Sequence, residues 1–231
     1  MIKQKIKGIE YTKRKIINNL NRYIDLATPE DIEEGKRWYH NARNFCIQMS
    51  NQYGVTIEQA AGITSVFSPQ TSWDINKGFC RSFLASNGKA NVTMLMRCNK
   101  ARKMLKTTDP KRIGELLSVK ENSGLKTKAF YENILHPDEA ETTVIDRHQI
   151  AASTQRPEDT MALSNSQSSL TPAQYYFLSD CNKHVARKRG LSVPSCQAII
   201  WGSYRNARGL FQHKPNEFEL QLPVMMEVDP F

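Results

Sequence analysis

No stretch of this chain approaches the roughly 18 consecutive apolar residues that a membrane-crossing helix requires, so no membrane span is expected. The segment Met1 to Lys7 carries lysines but no apolar core of the kind that marks a secretory signal, and a cytoplasmic location is expected. Cysteine is sparse. The 5 cysteines (46, 80, 98, 181 and 196) are scattered, odd in number and never spaced Cys-x-x-Cys. That argues against a disulfide frame, a zinc ribbon or an iron–sulfur site, and for reduced, mostly buried thiols. The 5 histidines (40, 136, 148, 184 and 213) lie far apart with no His-x-x-x-His pair, so neither a metal site nor a cofactor is expected. An internal repeat and a heptad array are both missing, which sets aside solenoids and coiled coils.

What the chain does have is positive charge in blocks. Its formal net charge is +9 over 231 residues. Between Asn87 and Lys128, 11 lysines or arginines face 3 acids, and the first 23 residues carry 7 bases against Glu10. The last acids, Glu217, Glu219, Glu227 and Asp229, all follow the last base, Lys214. A basic body with an acidic tail points to a polyanionic partner. The plain alternative is a solvated surface with an excess of lysine.

Helix signals dominate. Thr28-Pro29-Glu30-Asp31 supplies a capping hydroxyl, a first-turn proline and acids at the positive end of the dipole, and Gly54 closes that helix. Thr56 to Gln59 fits a capping box, followed by a small-residue helix that Ser68-Pro69 stops. Further helices are predicted from about Ser72 or Asp74 to Ala85, near 92–105, from Asp109-Pro110, and from about Leu125 to Leu135. Asp146 or a neighbour caps a short helix through Ala152. Thr171-Pro172 opens a long helix that Gly190 ends, and Pro194 or Ser195 starts the last, with Ile199, Trp201 and Tyr204 as core. Only 142–145 reads as extended. The fold class is all-α. The chain divides into a basic N-terminal segment (1–27), a helical domain (28–212) with a polar loop at 154–170, and an acidic tail (213–231).

Chemistry concentrates between Lys126 and His148. Lys128 and Asp146 lie 18 positions apart, each at the edge of an apolar segment. A lysine beside a carboxylate can do covalent chemistry on an electron-poor carbon, and with a nucleic-acid partner the carbon expected is a sugar C1′.

Four blocks, in order, carry a family resemblance. The segment from Ala60 to Lys77 (Ala-Ala-Gly-Ile-Thr-Ser-Val-Phe-Ser-Pro-Gln-Thr-Ser-Trp-Asp-Ile-Asn-Lys) resembles the helix and Ser-x-Gln-Thr turn of helix-hairpin-helix DNA glycosylases of the endonuclease III type. The segment from Asn99 to Leu105 resembles a later helix of that family, Gly124-Leu-Lys-Thr-Lys128-Ala the second helix of its hairpin, and Val144-Ile-Asp146-Arg-His148 its Val-Asp-Thr-His signature. The pattern also resembles a set of uncharacterised phage-encoded proteins, which would place it in a host cytoplasm. The family's Leu-Pro-Gly-Val-Gly turn is reduced to Gly124, its threonine is Arg147, and the four-cysteine cluster of some members is missing.

The resemblance implies a two-lobed helical fold with a central cleft. It also implies an enzyme that cleaves the N-glycosidic bond of a damaged or modified base flipped out of DNA. In that reading Asp146 stabilises the positive charge that develops as the bond breaks, and Lys128 is the Schiff-base nucleophile of an associated lyase, with Lys126 as its alternative. Gln70 approaches the gap left by the extruded base, flanked by Thr71 and Lys77, and Trp73 stacks on a base. Lys100, Arg102, Lys103, Lys106, Lys111 and Arg112 contact phosphates, Arg147 contacts DNA, and His148 holds the loop or moves a proton.

Each residue has a plainer role open to it. Asp146 is also an N-cap, Lys128 a solvated lysine, Trp73 core, and Arg187, Lys188 and Arg189 cations at a helix C-terminus. The reduced hairpin turn suits a second reading, a glycosylase-like DNA-binding or phage regulatory or structural protein without catalysis. A third keeps only the scaffold, since fold does not fix function.

Overall fold

The computed structural model describes residues 3–6, 8–118, 124–155 and 170–210. Among them are a two-stranded antiparallel hairpin, β1 (Lys3–Ile6) and β2 (Ile9–Thr12), and ten α-helices. The helices are α1 (Lys13–Leu26), α2 (Pro29–Tyr53), α3 (Ile57–Phe67), α4 (Trp73–Ala85) and α5 (Leu95–Met104), then α6 (Pro110–Leu116), α7 (Leu125–Leu135), α8 (Arg147–Thr154), α9 (Pro172–Arg189) and α10 (Val193–Ala207). The protein is mostly helical. No described helix is long and apolar enough to cross a membrane.

The capping chemistry sits where the sequence places it. Thr28, Thr56 and Thr171 each accept from the backbone N–H three residues on, and the side chains of Asp31, Gln59 and Gln174 reciprocate. Gly54 and Gly190 close α2 and α9 in the left-handed conformation. Three differences stand out. The hairpin and α1 arise from the charge-rich N-terminus, where lysines mask a thin apolar set: Ile6, Tyr11, Ile16, Leu20 and Tyr23 are buried. Residues 141–146 form no ladder. The segment 1–27 is no separate arm, because its described residues complete a core. Most of the polar loop (156–169) and the tail (213–231) lie outside the described residues.

Two hydrophobic cores result. The first collects α2 to α7, from Tyr39 and Phe45 through Phe67 and Phe83 to Tyr131 and Ile134. The second joins the hairpin and α1 to α8, α9 and α10 through Leu20, Tyr23, Ile150, Leu178 and Ile200. The chain therefore starts in the second core, builds the first, and returns. Helices α2 and α10 fasten the cores together. Gly35 makes the close approach possible, since a Cβ there would stand 2.5 Å from Ile199 Cγ1 and 2.7 Å from the Ile199 nitrogen. Within the first core Gln59 on α3 donates to the carbonyl oxygens of Met104, Leu105 and Thr107 (3.2, 3.2 and 3.0 Å), satisfying the C-terminal end of α5.

Candidate functional site

The segment before α8 runs between the cores, Val144 packing into the first and Ile145 into the second. It has no sheet partner, so side chains satisfy its backbone. Tyr175 donates to the Thr143 carbonyl (2.6 Å) and accepts from the Ile145 N–H (3.4 Å). The amide of Asn133 meets the Thr142 hydroxyl at 2.6 Å. These bonds fix where Asp146 emerges at the seam.

Asp146 caps α8. Its Oδ1 accepts the Gln149 backbone N–H at 2.8 Å, and its Oδ2 accepts the indole N–H of Trp201 on α10 at 3.0 Å. The capping role and a place in a polar cluster therefore hold together. Its negative charge reaches Tyr39 on α2, Tyr175 on α9 and Tyr204 on α10, whose hydroxyls are raised above their ordinary range by burial first of all.

His148 is the second residue of α8. Arg147 Nε donates to its Nε2 at 3.3 Å, and its ring packs against Trp201 and Tyr204 with centroids 6.2 and 5.9 Å apart. Burial lowers its pKa, and Arg147, Arg205 and Lys126 lower it further against the pull of Asp146. His148 is thus a neutral ring with an acceptor nitrogen near neutral pH. Arg205 lies 4.4 Å over the Trp201 ring. One carboxylate, a neutral imidazole, an indole and two arginines thus share the seam where α8 and α10 meet.

Of the two lysines on α7, the charge of Lys126 reaches His148, as the weakest of the three cations that do. Lys128 lines a groove of about 330 Å³ between α6 and α7, with Lys111, Glu115, Tyr131, Glu132 and His136. Asp146 does not line that groove, so the expected pairing of Lys128 with Asp146 at one cleft is not formed there. On an α-helix two residues two positions apart point about 200° apart.

The turn between α3 and α4 holds Gln70 exposed, with a left-handed φ of 60°. Thr71 closes the turn through its hydroxyl onto Phe67 and Pro69 carbonyls, and Arg97 Nη1 donates to the Pro69 carbonyl at 2.8 Å. Trp73 packs between Trp38 and Phe45 (5.4 and 5.7 Å), so it is a packing residue and not a stacking platform for a base. Lys77 lies over the Trp73 ring and pairs with Asp74 at 2.7 Å. Arg102 is a loop clamp: it binds the carbonyls of Gly88, Lys89 and Ala90 and the side chains of Asn91 and Asn99. That set ties four of its five N–H donors to protein acceptors, so most of its guanidinium serves the loop. Lys103 is exposed. Lys100 is partly buried, and that desolvation, with Lys103, lowers its pKa.

Two features escaped sequence reasoning. Met94, Leu95 and Met96 open α5 beside the Gln70 turn and are each 58% exposed. Trp201, expected in the core, is part of neither core among the described residues and binds Asp146 instead. An apolar triplet without helical spacing was the available signal for the first; nothing in the sequence signalled the second. Arg187 and Arg189 tie the end of α9 to Glu141 and Asp25. All 5 cysteines are buried and unpaired, and burial pushes the thiols of Cys46, Cys181 and Cys196 up to about 12. Among the described residues no three His, Cys, Asp or Glu side chains converge as a metal site would require.

No curated protein and no solved structure matches the chain. A family model does match residues 2–208, nearly the whole of the described chain, and the protein belongs to that family, described as a family of unknown function (DUF7178).

Proposed function

We propose that this protein is a DNA N-glycosylase-like enzyme acting on a damaged or modified base extruded from duplex DNA. The observation that carries the reading is Asp146, an oriented carboxylate held by two N–H donors at the seam between two cores, two residues from a neutral histidine that the Lys126 charge also reaches. In this reading the C1′–N bond breaks and its electron pair leaves with the base. Positive charge spreads over C1′ and the ring oxygen, and Asp146 stabilises it. Water then adds at C1′ and gives up its proton to the medium. In a lyase variant the Lys126 amine adds there instead and forms an imine as the sugar ring opens.

The chain path supports the reading. Both ends of the described chain build one hydrophobic core, the middle builds the other, and Asp146 follows Val144 and Ile145, which pack into one core each. The α3–α4 turn supports it too. Gln70 is exposed there in a left-handed conformation, and Arg97, which follows the exposed apolar triplet Met94–Met96, bonds the Pro69 carbonyl of that turn, with Lys100 and Lys103 farther along α5. Apolar wedges flanked by cations suit separating base steps while phosphates are held.

The second reading, DNA binding without catalysis, draws on Lys128 facing another groove and on the single glycine left at the hairpin turn. A borohydride trap on duplex DNA with one abasic site, with a base-release assay on a panel of modified duplexes, separates the two. Base release abolished by Asp146→Asn supports the enzyme. Neither release nor adduct, with salt-sensitive binding intact, supports the binder.

A further inference from the structure

Tryptophan on the last helix of a helical protein is ordinarily core, yet among the described residues Trp201 is part of neither hydrophobic cluster, although its neighbour Ile200 is fully buried in the second. Its indole nitrogen, a donor that cannot accept, points at Asp146 Oδ2. Helix capping needs only one carboxylate oxygen, and Oδ1 already serves it through Gln149. The bond from Trp201 is therefore additional to what α8 requires.

We infer that Trp201 is a positioning residue that fixes the orientation of the Asp146 carboxylate across the seam, with Arg205 and His148 setting the plane of its ring. The guanidinium of Arg205 lies 4.4 Å from the ring centroid, and the His148 ring meets it edge-on with an interplanar angle of 82°. Trp201 stands two residues beyond Ile199, where α10 meets α2 backbone to backbone at Gly35. The indole thus projects from a rigid platform that belongs to both cores, and a preorganised donor costs little reorganisation when charge develops nearby. With one donor on each oxygen, the carboxylate is held as an oriented anion, suited to stabilising a cation more than to abstracting a proton. Only the kinetic readout below rests on the proposed glycosylase activity.

The test begins with indole N–H resonances in a ¹H–¹⁵N spectrum of the full chain, which has 3 tryptophans. Trp201→Phe assigns one of them. Asp146→Asn is expected to move that resonance and leave those of Trp38 and Trp73 in place; an unmoved resonance overturns the inference. Should Trp201→Phe fold poorly, 3-benzothienylalanine at 201 keeps the ring shape and its contacts while replacing N–H by sulfur. That isostere is expected to lower the single-turnover base-release rate about tenfold or more, with DNA affinity within about twofold and the thermal midpoint unchanged. A full rate in the isostere overturns the inference. If wild-type protein releases no base from any duplex, the glycosylase reading falls, and the spectral arm alone decides whether Trp201 orients Asp146.

Discussion

Lys126 and Lys128 serve opposite faces of α7. The charge of Lys126 reaches the His148 imidazole at the seam, while Lys128 lines the groove against α6 with Glu115 and Glu132. The order of the two amines along the chain says little about which one faces His148. The helical period decides it.

A borohydride-trapped adduct on abasic DNA is therefore expected to vanish in Lys126→Ala and to persist within about twofold in Lys128→Ala, whose side chain faces away from the seam. Gel quantification of the adduct checks this. Loss in Lys128→Ala alone would sink the assignment of the amine to Lys126.

His148 makes a pH prediction. Burial, then Arg147, Arg205 and Lys126, depress its pKa, while Asp146 opposes them. The unfolded chain, titrating near the ordinary value of about 6.5, binds the proton more readily than the folded one. The stabilising contribution of neutral His148 is thus complete above about pH 6.5 and declines as pH falls through that value toward the lower folded one. His148→Gln should flatten the fall in thermal midpoint between about pH 7 and 5. Asp146→Asn, which removes the opposing charge, should lower the His148 pKa further in a ring-proton NMR titration. An upward move would contradict the geometry.

Gly35→Ala tests the fastening of the two cores. An added methyl would stand 2.5 Å from Ile199 Cγ1 and 2.7 and 2.8 Å from the Ile199 backbone nitrogen and Cα, atoms that cannot swing aside. Overpacking of this kind costs about 1–3 kcal/mol, or a drop of roughly 2–12 °C in thermal midpoint for a chain of this size. Calorimetry that shows no change would mean α10 slides freely against α2.

The helices were legible because their ends are local chemistry. Thr28 with Asp31, Thr56 with Gln59 and Thr171 with Gln174 fix starts within four residues of sequence, and Gly54 and Gly190 fix stops in the same way. The hairpin and α1 were not, because their apolar residues are few and become buried only against α8, α9 and α10, far along the chain. Asp146 could be singled out, but its second partner is 55 residues away, and no local pattern encodes that contact. Arg102 is a second case: a basic residue in a basic run looks like a phosphate contact, and only the fold shows most of its donors on the carbonyls of Gly88 to Ala90.

The apolar triplet at the start of α5 makes the last prediction. Met94, Leu95 and Met96 are each 58% exposed, beside the Gln70 turn that Arg97 pins through Pro69. Replacing all three by alanine removes little burial, so stability should change by no more than about 0.5 kcal/mol per site. Phosphate contacts dominate general affinity for duplex DNA, so binding to a matched duplex should stay within about threefold. Separating base steps is a different task, and wedges perform it. A duplex with 2-aminopurine beside the target position should brighten on binding wild type and stay dark with the triple variant. Equal brightening with both proteins would show that these side chains do not enter the base stack, and would move the DNA contact away from the α3–α4 turn.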